Sequence, residues 1–235
     1  MPLLRGLLCS VLVTMLAPAA FLIAQQPDPC QTATTSAAAP DASAEASPAA
    51  GIPARSVQVA DAGALLWGSG DHGVLLVHGA VYDAASWEAQ AQAIATEGFL
   101  VLALEEISPD DVLAGIDYLT TECGVSGVTL IGASAGASAS LSAAATQPEG
   151  ITQLILLSGT GDVSSLGPYP KLFVASEGEG IAATVEAMAA DAPGDDNIAL
   201  ILPGGAHAQA IFDTDQGDPL LQEIITRLEL IRSDT

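Results

Sequence analysis

The chain has 235 residues, 50% of them hydrophobic, enough to bury one sizeable core, although only 4% are aromatic. Five basic residues against 28 acidic ones give a net charge of −23, which argues against nucleic acid as a partner and disfavours polyanionic substrates. Three cysteines, Cys9, Cys30 and Cys123, show no metal-ligand spacing, so neither a metal nor an organic cofactor is implied.

The N-terminus reads as an export signal. Arg5 supplies one positive charge, Gly6 to Ala24 is uncharged and largely apolar, and Ala17-Pro18-Ala19 offers small residues for cleavage. The run also approaches the length of a spanning helix, so residues 1–24 form either a signal peptide or an uncleaved membrane anchor. Both place the protein outside the cytoplasm, secreted or membrane-tethered. Residues 25–55 are rich in Ala, Pro, Ser and Thr and, as far as Ile52, carry no large apolar side chain. Such a stretch cannot bury enough surface to offset its ordering entropy and reads as a disordered linker. Export would allow Cys30 and Cys123 to pair and pin this linker to the domain, with two free thiols as the alternative.

Residues 56–235 read as one domain. Val57–Ala60 and Ala64–Trp67 are short strands around a turn at Asp61-Ala62-Gly63. Gly73–Val77 is apolar throughout, as a strand covered on both faces must be, and ends in His78-Gly79-Ala80. Ala84–Glu97 has Trp87, Ala91 and Ile94 at helical spacing and Gly98 as its stop. A strand at Phe99–Leu104 follows, then a helix at Asp110–Glu122 started by Ser108-Pro109. Strands at Val128–Ile131, Ile151–Leu157, Leu172–Ala175 and Ile198–Leu202 alternate with helices at Ala137–Ala145, Ile181–Ala190 and Pro219–Ile231. This alternation specifies a doubly wound, mostly parallel α/β sheet.

The stretch that carries chemistry is Gly132-Ala133-Ser134-Ala135-Gly136, between a buried strand and a helix of small residues. Glycines two positions either side of Ser134 remove the side chains that would clash in so sharp a turn. The following helix aims its free N–H groups at the same place, where an oxyanion on an acyl carbon would be stabilised. In such a sheet ligands sit beyond the carboxyl ends of the strands. His78-Gly79-Ala80, Glu177 with Glu179, and His207 each follow another strand end.

His78-Gly79 after an early strand, the Gly-x-Ser-x-Gly turn after the central one and Gly204-Gly205-Ala206-His207 after the last resemble, in order and spacing, the α/β-hydrolase superfamily over about residues 57–231. The resemblance implies Ser134 as nucleophile and His207 as its base. It places the acid after the penultimate strand, where the register favours Glu179, with Glu177 and Asp162 as alternatives. The backbone N–H groups of Ala80 and Ala135 would form the oxyanion hole. Only a short loop, between Leu157 and Leu172, stands where many members of the family insert a lid, so an open site for a small ester-like substrate is expected. Tyr82, Trp87 and Tyr169 are candidates for its walls, with Trp87 better suited to anchor its helix in the core. The alternative to an esterase-like enzyme is a non-catalytic binding or surface protein that keeps the fold.

Overall fold

The computed structural model describes Cys30 and residues 51–233. The signal or anchor segment and nearly all of the linker lie outside the described residues. The first strand begins at Arg55, so the last linker residue belongs to the sheet.

Strands β1 (Arg55–Val59) and β2 (Ala62–Gly68) form a hairpin whose turn is tightened at Ala60, with φ of 50°. β3 (His72–Val77) leads through a 3-10 turn at Ala84–Trp87 into α1 (Glu88–Thr96) and β4 (Leu100–Leu104). α2 (Pro109–Asp117) starts where expected, Ser108 accepting from the Asp111 amide, and widens into a π turn at Tyr118–Glu122. β5 (Gly127–Ala133), α3 (Ala135–Ala144), β6 (Ile151–Leu157), β7 (Lys171–Ser176), α4 (Ala182–Asp191), β8 (Asn197–Leu202) and α5 (Gly217–Ser233) complete the alternation.

The eight strands lie in the order β1-β2-β4-β3-β5-β6-β7-β8. β2 runs antiparallel to both of its neighbours, and every other pairing beyond it is parallel. Successive residues of a strand face opposite sides, and the core divides accordingly. Leu75, Leu102, Leu130, Leu156 and Phe173 face α2, α3 and α4. Val74, Leu76, Val101, Ile131 and Leu172 face α1 and α5, where Trp87 and Ile94 are buried as the helical spacing required. Parallel strands with their chain direction in common put the carboxyl ends of β3, β5, β6, β7 and β8 along one edge of the sheet. The site residues stand on the loops at that edge.

The opposite edge carries a different kind of chemistry. His72, at the start of β3, is buried with Nε2 3.0 Å from Thr129 Oγ1, and burial holds its pKa below the usual value. Cys30 and Cys123 are joined in a disulfide across 93 residues, with Cα atoms 5.2 Å apart. Lys171, the chain's one lysine, is fully buried at the start of β7. Its ammonium donates to Tyr169 O at 2.7 Å, Pro193 O at 2.5 Å and Asn197 Oδ1 at 3.2 Å.

Burial of Lys171 lowers its pKa to about 8. The unfolded side chain titrates near 10.4, so between these values the unfolded state binds more protons at this group and the contribution of Lys171 to stability rises with pH. The cost of burying the charge is fully present below pH 8. We expect denaturant unfolding to show a rise in stability from pH 8 to 9.5 that is absent in Lys171→Met; parallel pH profiles for the two proteins would refute it.

Candidate active site

Ser134 sits between β5 and α3 with φ of 52° and ψ of −112°, a conformation costing of order 1–3 kcal/mol for a residue with a side chain. The strain is held by close packing. A Cβ at Gly132 would stand 2.5 Å from Ser140 Oγ and 2.7 Å from Gly136 O, and one at Gly136 would overlap the carbonyl oxygens of Val77 and His78. Only glycine fits at either position, so the chain can turn sharply enough to stand Ser134 at the end of β5.

Ser134 Oγ lies 2.8 Å from His207 Nε2, and His207 Nδ1 lies 2.5 Å from Glu179 Oε1. A carboxylate only accepts, so Nδ1 carries the proton and Nε2 accepts from the serine hydroxyl. The far oxygen of Glu179 is occupied as well. Oε2 accepts the Ser176 N–H at 2.6 Å and the Ser158 hydroxyl at 2.9 Å, so the carboxylate cannot rotate without losing bonds. Its side chain is 5% exposed, against 56% for that of His207.

The loop that carries His207 is fixed from below. Ser158 Oγ accepts the Ala208 N–H at 2.8 Å, and Ser176 Oγ donates to Ala206 O at 2.6 Å. Ser158, at the end of β6 with φ of 53°, thus links acid and histidine loop through one hydroxyl. Nothing in the local sequence marks it; its signal is its position at a strand end.

The two other carboxylates are elsewhere. Glu177 is exposed at the start of the 3-10 turn Glu177–Glu179. Asp162 is exposed and accepts the Ser164 N–H at 2.9 Å, a bond that holds its carboxyl below the usual range. Of the three candidates, only Glu179 meets His207.

On the other side of Ser134, the turn after β3 is closed by Tyr82 N–H donating to Gly79 O at 3.0 Å. His78 is buried there, its ring nitrogens 2.8 Å from Gly79 O and 3.1 Å from Glu105 O. Ala80 is exposed in this turn, and Ala135 opens α3, whose first amides have no intrahelical acceptor. Among the described residues no three His, Cys, Asp or Glu side chains converge to hold a metal ion.

Solved structures superimpose on this architecture. A predicted CIB-like hydrolase from Thermoplasma acidophilum matches with a TM-score of 0.62 at 14% identity, covering 75% of this chain and 97% of that one. A dienelactone hydrolase from Anabaena variabilis matches with a TM-score of 0.60 at 20% identity, covering 74% and 95%. A cold-adapted esterase from an Arctic intertidal metagenomic library matches with a TM-score of 0.55 at 16% identity, covering 74% and 92%. The chain has the α/β-hydrolase fold. Neither a protein-family model nor a curated protein matches it in sequence.

Within this α/β-hydrolase fold the expected wall residues separate. Tyr82 is exposed beside the turn after β3, its ring edge 3.4 Å from where a Cβ on Gly79 would lie and Ser134 Cβ 3.6 Å from the same point. Trp87 is buried in the core, its ring edge-on to Phe212. Tyr169 does not reach the site. It precedes the first residue of β7, and in a parallel sheet the start of β7 lies at the edge opposite the end of β5; the ring packs over the Lys171 ammonium instead. A cavity of about 450 Å³ opens beside His207 and Glu179, lined also by Ser158, Thr160, Ile181 and Gly205. The 158–170 connection contains neither helix nor strand, and among the described residues no lid inserted there covers the site.

Proposed function

We propose that this protein is an exported serine hydrolase that cleaves a small ester-like bond through an acyl-enzyme. The observation that carries the reading is the unbroken hydrogen-bonded row from Ser134 Oγ through His207 to Glu179. Its starting serine is held in a strained turn at a helix N-terminus. Each link matches a step of acyl transfer. His207 Nε2 takes the proton as Ser134 Oγ attacks the substrate carbonyl, and the Ala80 and Ala135 N–H groups hold the oxyanion. Glu179 steadies the imidazolium, which then protonates the leaving oxygen. Water, deprotonated by His207, attacks the acyl-enzyme, and the proton returns to Ser134 as the acid departs.

Several features support a small, soluble and uncharged or cationic substrate. His207 is more than half exposed, the neighbouring cavity has the volume of a small-ligand site, and the net charge of −23 repels anions. Val81, 89% exposed, and Tyr82 offer an apolar lip beside the serine rather than an enclosed acyl tunnel. The Cys30–Cys123 disulfide supports export, since thiols in the cytoplasm are kept reduced.

The test is hydrolysis of p-nitrophenyl esters of graded acyl length by the purified full chain, with fluorophosphonate labelling beside it. Labelling of the native protein is expected, with the highest kcat/KM on short acyl chains. A preference for long chains would overturn the open-site reading. A folded protein that neither labels nor turns over any ester would instead favour a binding protein.

A further inference from the structure

The hydrogen bonds around the turn after β3 include one that comes from the far end of the chain. Gln209 is 6% exposed, two residues beyond His207, and its Oε1 accepts the Gly79 N–H at 2.8 Å. Its Nε2 donates to Ser86 Oγ at 2.8 Å, and the Ser86 hydroxyl in turn donates to Asp83 O at 2.5 Å. The direction of this relay is unique. Rotating the amide by half a turn would set an N–H donor against the Gly79 N–H and an oxygen against a hydroxyl whose proton is already given to Asp83.

We infer that Gln209 is a positioning residue for the oxyanion hole, an inference that rests on the hydrolase reading above. The Ala80 N–H shares its peptide with Gly79 O, which the Tyr82 N–H and His78 hold from within the turn, and Gln209 holds the preceding peptide at the Gly79 N–H; with the peptides on both sides of Gly79 bound, the direction of the Ala80 N–H is set. Gln209 takes the Gly79 amide and leaves that of Ala80 for the substrate. Glycine at position 79 has no side chain to restrain the turn, and the turn tip is exposed from Ala80 to Asp83, so the local Tyr82-to-Gly79 bond alone leaves the turn free to swing on its β3 side, and Gln209 supplies that restraint from across the site. Because Gln209 and His207 belong to one loop, the same segment sets the base on one side of Ser134 and the oxyanion amide on the other.

The experiment compares the full chain with Gln209→Met, which keeps length and apolar stem but removes both hydrogen bonds. A displaced oxyanion donor should lower kcat/KM on the order of 10²-fold. The loss should fall in kcat, with KM held within a few-fold. Phenylboronic acid, whose boron becomes tetrahedral on taking the Ser134 oxygen, should weaken in step with kcat/KM. Inhibition by benzyl alcohol, which needs no oxyanion hole, should stay unchanged.

Where Gln209→Met does not fold, Ser86→Ala removes the far end of the relay, and a several-fold loss with the same split between the two inhibitors is expected. Unchanged kcat/KM in a folded variant, or equal weakening of both inhibitors, would overturn the positioning role. These results leave the hydrolase reading standing, provided that the parent protein labels with fluorophosphonate. A parent protein that does not label would remove that reading itself, and the inference with it.

Discussion

Ser134→Ala is expected to lower kcat on p-nitrophenyl esters on the order of 10⁴- to 10⁶-fold and to abolish fluorophosphonate labelling, while the folded chain survives. The hydroxyl is the nucleophile of the row, and without it no acyl-enzyme forms and the His207 imidazole has no serine proton to take. Little stability should be lost. Ser134 Oγ makes one bond, to an exposed ring, and the strained φ of 52° is a cost rather than a support. Ser134→Gly, which relieves that strain, should therefore be inactive yet at least as stable as the parent in denaturant unfolding, by up to about 1 kcal/mol. Retained hydrolysis in either variant would mean that another group performs the chemistry.

Glu179→Gln should cost roughly 10³- to 10⁴-fold in kcat, whereas Glu177→Gln and Asp162→Asn should each stay within about twofold of the parent. The difference follows from donors and acceptors. Glu179 receives three donors, His207 Nδ1–H, the Ser176 N–H and the Ser158 hydroxyl. An amide has one oxygen. Placed toward His207, it leaves the NH₂ facing the Ser176 N–H; turned round, it presents the NH₂ to Nδ1 and selects the imidazole tautomer that cannot accept the serine proton. Glu177 and Asp162 touch neither His207 nor its loop. Equal losses in all three variants would point to general electrostatics of a very acidic surface, and an active Glu179→Gln would remove the carboxylate from the mechanism.

The core elements were legible because their sequences carry the period of the structure they adopt. The apolar run Val74–Val77 could only be a strand covered on both faces, and Trp87, Ala91 and Ile94 could share a buried face only on a helix. Less legible were the two 3-10 turns at Glu177–Glu179 and Ala208–Asp213, which are too short to show any period. They are the segments that carry Glu179 and Gln209. Tyr169 shows a related limit. It is close in sequence to the loop end at Ser158, yet the connection crosses the sheet and delivers it to the opposite edge.

By itself, then, the sequence determined the alternation of strands and helices, the strained turn at Ser134 and the strand ends from which side chains could meet, because these depend on periodicity and on glycines a few residues away. Only the tertiary structure decided which side chains do meet. The choice of Glu179 over Glu177 depends on a turn that points one carboxylate inward and the other to solvent. The pairing of Cys30 with Cys123 spans 93 residues, and the bond from Gln209 to Gly79 spans 130. No local pattern encodes such distances. The meeting of Gln209 with Gly79 is set by strand order and register, which bring the loops after β3 and β8 to the same edge of one sheet.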